Sequence, residues 1–285
     1  MGETQNSANR QKDIERILKL RLLDDIFMKE VLKDNLPGVQ DIIQVILKRD
    51  DITVVEVRIQ DEWPNLAGHS VRLDVTARDA DERWYNIEIQ RSSEGANEKR
   101  ARYNVGALDW NLLPAGAEYS DLPEVYVIFI TEKDILGRGL PIYTINRVIE
   151  ETGEPFEDFA HILYVNGAYV GDDNLGKLMA DFRERDPKKM YFASLADRAA
   201  FYKTTEGGVN SMCQIMEEVR QEARAEGRAE GRQEGRAEGR KEERSQMIQA
   251  LLRYNTASSL LHDSQFKGLA ITQMEIDFAQ GRQPS

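Results

Sequence analysis

Apolar residues recur along this chain in two rhythms, and the places where one gives way to the other divide it into elements. Over residues 13–24 they fall at roughly helical spacing, with part of the stretch also readable as extended. Asp24 and Asp25 then precede a short amphipathic run, 26–32, which predicts a helix. Asn35, Leu36 and Pro37 break it, and Pro37 opens a second helix to about residue 49. Residues 52–60 are β-branched and alternate, so a strand is expected there, followed by a loop holding Trp63, Pro64 and Gly68. Two further strands, 70–78 and 84–90, are joined through residues 79–83. Residues 96–113 return to helical spacing, and 124–131 form an almost unbroken apolar run, the signature of a strand covered on both faces. Shorter strands are expected at 141–149 and 160–165. A helical pattern follows from residue 174 to 203 and resumes near 209. Strands mixed with helices in this order predict an α/β or α+β core, taken here as α/β.

The last of these patterns is unusual. Residues 224–240 read RAEGRAEGRQEGRAEGR, with Gly227, Gly231, Gly235 and Gly239 four apart. Each glycine weakens a helix by about 1 kcal/mol relative to alanine, and like charges at i,i+4 repel mildly. An isolated helix here is therefore expected to be marginal. Two readings stand side by side: a solvated charged helix or linker, or a helix paired with a second copy that lets Glu and Arg rows meet. This gives a polar N-terminal arm over 1–12, a main domain over 13–213 and a C-terminal helical region over 214–285.

Charge sharpens the picture. The 285 residues carry a formal net charge of −12. Residues 214–285 hold 11 basic and 12 acidic side chains, so nearly all of the excess lies in the main domain. Nucleic-acid affinity draws heavily on Lys and Arg neutralising phosphates, so the balance argues against an extended nucleic-acid surface there, and any such contact must be local or metal-assisted. A single cysteine, Cys213, rules out an internal disulfide and reads as a small buried residue. No apolar run is long enough for a membrane helix, residues 1–12 lack the apolar stretch of a signal peptide, and Asn6 stands where a myristoylation signal wants Ser or Thr. A cytoplasmic protein is expected. His69, His161 and His262 show no ligand spacing, which argues against zinc, and Gly137-Arg138-Gly139 reads as a turn.

The chemistry gathers on the central hairpin. Alternation sets Leu73, Val75 and Ala77 on one face with Tyr85, Ile87 and Ile89, because a slip by one residue would expose a whole row. Asp74, Thr76, Arg78, Trp84, Asn86, Glu88 and Gln90 share the other face. A turn centred on Asp81 pairs residues whose numbers sum to 162, which sets Asp74 opposite Glu88. Two carboxylates so placed repel unless a cation bridges them, and a divalent ion does so well. On spacing alone, a solvated face is the more common explanation of such a pair. Arg91, Lys99, Arg100 and Arg102 form the one basic cluster nearby, interrupted by Glu94 and Glu98. For Lys99 and Arg100 a solvated helix face is as good a reading as phosphate binding.

The segments Leu73-Asp74-Val75 and Asn86-Ile87-Glu88-Ile89-Gln90 resemble the D…(D/E)-x-K core of the PD-(D/E)XK nucleases, with Gln in the lysine place. More narrowly, the chain resembles the recombination-promoting nuclease (Rpn) family, also called PD-(D/E)XK nuclease family transposases. The likeness runs through residues 24–29, Arg102-Tyr103, 125–131, 161–167 and 175–182 and covers about 13–245. It implies a restriction-endonuclease-like fold, a mixed sheet flanked by helices, with the charged repeat helix appended. It also implies a metal-dependent DNA endonuclease of recombination, mobile-element or defence biology, using Mg²⁺ or another divalent cation. Carried over by position, Asp74 and Glu88 are metal ligands, the Ile89 carbonyl is a third, and Gln90 occupies the lysine position. Asp74, Glu88 and Gln90 are thus the implied catalytic set, with Arg91 and Arg102 as DNA contacts. An acidic residue of the first core helix joins such sites; Asp25 and Glu30 are both candidates. A second reading is a non-catalytic protein-interaction module on a nuclease fold, favoured by the acidic balance and disfavoured by the intact Asp74, Glu88 and Gln90. The expected partners are DNA and a second copy through the C-terminal helix, with no membrane.

Overall fold

A computed structural model describes residues 2–63, 71–91 and 94–281. The expected loop residues Pro64 and Gly68, with His69 and Ser70, lie outside them. The chain divides into two compact units, residues 1–216 and 217–285.

In the first unit α1 (Gly2–Ile17) takes in the polar residues expected to form an arm, and turns follow it to Asp24 rather than extended chain. Then come α2 (Asp25–Leu32) and α3 (Leu36–Leu47). The break between them is set by Asn35, whose side-chain oxygen accepts from Gly38 N–H while its amide nitrogen donates to the carbonyls of Val31 and Ser194. Pro37 occupies the first turn of α3, where no intrahelical donor is needed.

Strands β1 (Val54–Trp63), β2 (Val71–Asp79) and β3 (Trp84–Gln90) form an antiparallel meander. After α4 (Glu98–Leu112) the chain adds β4 (Val125–Thr131) parallel to β3. Next come β5 (Ile142–Ile145) and β6 (Ala160–Asn166), with β6 parallel to β4 and β5 antiparallel to β6. The result is a six-stranded mixed sheet in the order β1-β2-β3-β4-β6-β5. Two differences from the sequence reading stand: β1 runs on to Trp63, which is buried and meets Trp84 edge-on at 5.8 Å, and β5 covers only part of the expected 141–149.

The helices cover both faces. On one, Phe27, Met28, Val39, Ile42 and Ile43 of α2 and α3 meet Val75, Tyr85, Ile87, Ile128 and Val165, joined by α5 (Asn174–Arg183) and α6 (Ala193–Thr204). On the other, Ala101, Val105 and Leu108 of α4 meet Val125, Val127 and Phe129. Every residue of β4 is accordingly buried. The helical pattern over 174–203 is not continuous: α5 ends at Arg183, and a 3-10 turn at Pro187–Lys189 separates it from α6, as a proline with no amide hydrogen to donate requires.

One face assignment is corrected. Leu73 does not join Val75 and Ala77 but packs with Trp63, Val105 and Leu108 under α4. On the neighbouring strand, between the pairs Ile59↔Val75 and Asp61↔Leu73, Gln60 takes a left-handed φ of 53°. A residue in that region turns the local face of the strand, so strict alternation fails there.

α7 (Glu206–Leu252) is a continuous helix through the whole glycine repeat. Its first turns bring Val209, Met212 and Met216 into the core of the first unit. In the second unit Ile248 packs with Leu260 of α8 (Ala257–His262), with Ile271, and with Ile276 and Ala279 of α9 (Gln273–Ala279). Nothing lies within 4 Å of where a Cβ would stand on Gly227, Gly231, Gly235 or Gly239. No helix among the described residues is long and apolar enough to cross a membrane.

Candidate active site at the end of the β2–β3 hairpin

The hairpin is fixed at its turn. Asp79, fully buried, accepts from the backbone N–H groups of Asp81 and Arg83, from Arg83 Nε at 2.7 Å and from the Tyr85 hydroxyl at 2.7 Å. Glu82 takes the left-handed φ of 62° that closes the turn. The ladder that follows pairs Val75 with Ile87 and Thr76 with Asn86, the register whose numbers sum to 162. Beyond Val75 the ladder gives way to side-chain bonds: Asp74 N–H donates to Glu88 Oε1 at 3.2 Å, and Ile89 N–H donates to Asp74 Oδ2 at 3.4 Å.

Glu88 is buried on the α4 face, and α4 is matched to it in pitch. Arg100 Nη2 donates to Glu88 Oε2 at 2.7 Å, and one turn later Asn104 Nδ2 donates to Asn86 Oδ1 at 3.1 Å. Four residues of helix rise about 6 Å and two residues of strand about 6.6 Å, so positions 100 and 104 fall over 88 and 86 with the helix running opposite to the strand. Asn86 Nδ2 completes the row by donating to Glu88 Oε1 at 3.0 Å. Asn97 caps α4 by accepting from Arg100 N–H, and Arg100 Nη1 also donates to the Gly95 carbonyl at 3.0 Å.

The electrostatics are governed first by burial and then by like charge, with nearby cations opposing both. Burial pushes the Glu88 carboxyl up to about 7, with Asp74 adding to the shift and Asn86 and Arg100 opposing it. Asp74 is also raised, first by burial and then by Asp25; Lys29 and Arg100 pull it down. Asp25 at the start of α2 therefore belongs to the neighbourhood of Asp74, and Lys29 Nζ holds its Oδ2 at 2.5 Å. Glu30 turns away and accepts from the Tyr202 hydroxyl of α6 at 3.3 Å. Between the two acidic candidates of the first core helix, the surroundings favour Asp25.

The remaining expected residues are placed differently from one another. Gln90 ends β3 with its side chain against Gly95: a Cβ there would stand 2.0 Å from Gln90 Oε1. Arg91 is half-exposed but tied into an ion-pair ring. It meets Asp24 at 3.0 Å and Glu132 at 3.3 Å, while Arg21 meets Glu132 at 3.0 Å. This ring holds the start of α2 beside the ends of β3 and β4. Arg102 is exposed, about 200° around α4 from Arg100, and so faces away from Glu88. Asn104 and Lys29 are neighbours that the sequence alone does not point to, and Arg100 and Asn86, placed near the site by the sequence, take specific roles as donors to it. Their signal was a spacing match, Asn86 and Glu88 two apart on a strand against Arg100 and Asn104 four apart on a helix.

Among the described residues, no group of three or more His, Cys, Asp or Glu side chains could hold a metal ion. The donors at hand are two carboxylates and neighbouring amide and peptide oxygens, all hard. Such a sparse set fits a magnesium-like ion, which commonly takes one or two carboxylates and fills its shell with water and substrate phosphate. It does not fit zinc, which wants four tetrahedral nitrogen or sulfur ligands when structural.

The family model for PD-(D/E)XK nuclease family transposases matches residues 25–168, a span that begins at Asp25 and takes in the hairpin, α4 and β6. No curated protein matches the chain.

Proposed function

As a member of the PD-(D/E)XK nuclease family transposases, this chain carries a nuclease-type domain, and we propose that it is a divalent-metal-dependent DNA endonuclease. Asp74 and Glu88 would hold the cation, with the Ile89 carbonyl as a third donor; Asp25, whose charge acts on Asp74, is the candidate from the first core helix. When bound, such an ion would add positive charge between the pair, draw in a phosphate oxygen and make water more acidic. Gln90 in this reading orients a water or a phosphate oxygen by hydrogen bonding, and Gly95 leaves its side chain room to do so. The observation that carries the proposal is the meeting of Asp74 with Glu88 on a buried strand end, where burial and like charge raise both carboxyls.

The nuclease domain is assigned to residues 13–213, with 214–285 as an appended helical region. Arg91 and Arg102 are proposed to meet DNA at the rim, Arg91 only by leaving part of its ion-pair ring. Self-association through α7 is part of the same proposal: the open glycine row permits close approach by a second copy. Magnesium is the ion proposed, and manganese a substitute of the same geometry. Incubating the full chain with supercoiled plasmid tests the reading. Nicked and linear products are expected with Mg²⁺ or Mn²⁺ and none with EDTA; products that persist in EDTA, or none with any divalent ion, would count against it.

A further inference from the structure

Glu88 has no free oxygen. Oε1 accepts from Asp74 N–H at 3.2 Å and Asn86 Nδ2 at 3.0 Å, and Oε2 accepts from Arg100 Nη2 at 2.7 Å. The carboxylate is fully buried, while the Arg100 side chain is about one-third exposed, 35%. The two donors on Oε1 belong to the hairpin and its backbone and cannot leave without breaking it. Arg100 stands on a separate helix with a flexible stem, and among the described residues its side chain otherwise bonds the Gly95 carbonyl at 3.0 Å. Oε1 already accepts two bonds, so a cation arriving at Glu88 would meet Oε2, the oxygen on which Arg100 sits.

Resting on the metal-site reading above, we propose that Arg100 is the resident counter-cation of that site and that it exchanges with the metal ion. Without metal it neutralises a carboxylate that would otherwise be buried alone, a situation that strongly destabilises a fold. With metal, two cations competing for one oxygen repel each other, and the guanidinium swings outward. There it faces the solvent side of the strand end, where a phosphodiester would lie, and its planar fork suits a phosphate as well as a carboxylate. Metal entry and backbone gripping are in this way one event. Arg100 is a positioning residue that acts through Glu88 when metal is absent and through the substrate phosphate when it is present.

The exchange makes a prediction that a merely structural arginine would not: removing it should tighten metal binding. Mn²⁺ titrations of the full chain, read by electron paramagnetic resonance, should give Arg100→Gln an affinity higher than wild type by about fivefold or more, the range of an ordinary site-to-site coupling. Without metal that variant should melt below wild type, and Mn²⁺ should narrow the gap. Arg100→Lys, a cation without the fork, should shift affinity the same way by less, and it serves if the Gln variant does not fold. Asp74→Asn is run beside them. If it abolishes Mn²⁺ binding while the Arg100 variants bind no more tightly than wild type, the exchange is overturned and the carboxylate site stands. If Mn²⁺ binds equally well to Asp74→Asn, the site reading falls and the exchange falls with it.

Discussion

The residue that concentrates the physics of this protein is Glu88, a carboxylate with an Arg partner that is nevertheless harder to ionise than in water. Desolvation outweighs the ion pair, as it commonly does for a charge taken wholly out of solvent. Its proton is thus held more tightly in the folded chain than in the unfolded one. The contribution to stability is retained below the ordinary carboxylate range and lost as pH rises from there through about 7. Replacing Glu88 by Gln fixes the uncharged state, so the melting temperature of wild type relative to Glu88→Gln should fall between pH 5 and 8. A difference that stays flat or rises over that range would mean that Arg100 compensates the buried charge fully. Gly95 offers a second residue-scale prediction. Gly95→Ala puts a methyl group 2.0 Å from Gln90 Oε1 and must push that side chain aside. Plasmid nicking should drop several-fold while the melting temperature moves by only a few degrees, the separation expected if Gln90 has a part in the reaction.

At the scale of elements, the site depends on a turn and a cap that are far from the chemistry. Asp79 anchors four donors at the hairpin turn and is fully buried. Asp79→Ala leaves Arg83, itself buried, without that partner and should cost about 3 kcal/mol or more in urea unfolding. Asn97→Ala removes the cap of α4 and should cost about 1 kcal/mol. Because it loosens the turn that carries Arg100, it should lower metal-free stability more than the metal-bound form. These elements also mark what could be read from the sequence. The hairpin register was legible because two apolar rows and one turn leave a single consistent pairing, and the β4 strand because a strand covered on both faces is apolar throughout. Leu73 was misassigned because the residue that turns the face, Gln60, lies on the neighbouring strand and no local pattern announces it. The split of 174–203 into two helices was visible in Pro187 and was passed over. Arg100 was legible only as a member of a basic cluster interrupted by glutamates, where a solvated helix face reads as well as phosphate binding. Only the pitch match between α4 and β3 distinguishes it from Lys99.

For the whole molecule, charge sets the limits. The first 213 residues carry most of the −12 net charge, and Arg91, a basic group near the site, is shared between two carboxylates. Metal-free DNA binding should therefore be weak, with few phosphate contacts and a shallow salt dependence of about −0.9 per contact in log affinity against log salt. A slope steeper than about −6 in a fluorescence titration would place a large basic surface elsewhere. The repeat helix gives an independent test of assembly. If its glycine row packs against a second copy, Gly231→Ala with Gly235→Ala should weaken self-association in light scattering. If the row faces only solvent, the same changes should leave the molecular mass unaltered and raise helix stability by up to about 1 kcal/mol each. The central claim, that Asp74 and Glu88 form the working centre of a nuclease, is tested most directly by one comparison. Wild type and Asp74→Asn, each verified as folded by thermal melting, are given the same supercoiled plasmid and Mg²⁺. The claim predicts nicking by wild type and a loss of at least a hundredfold in the variant; equal cleavage by the two would contradict it.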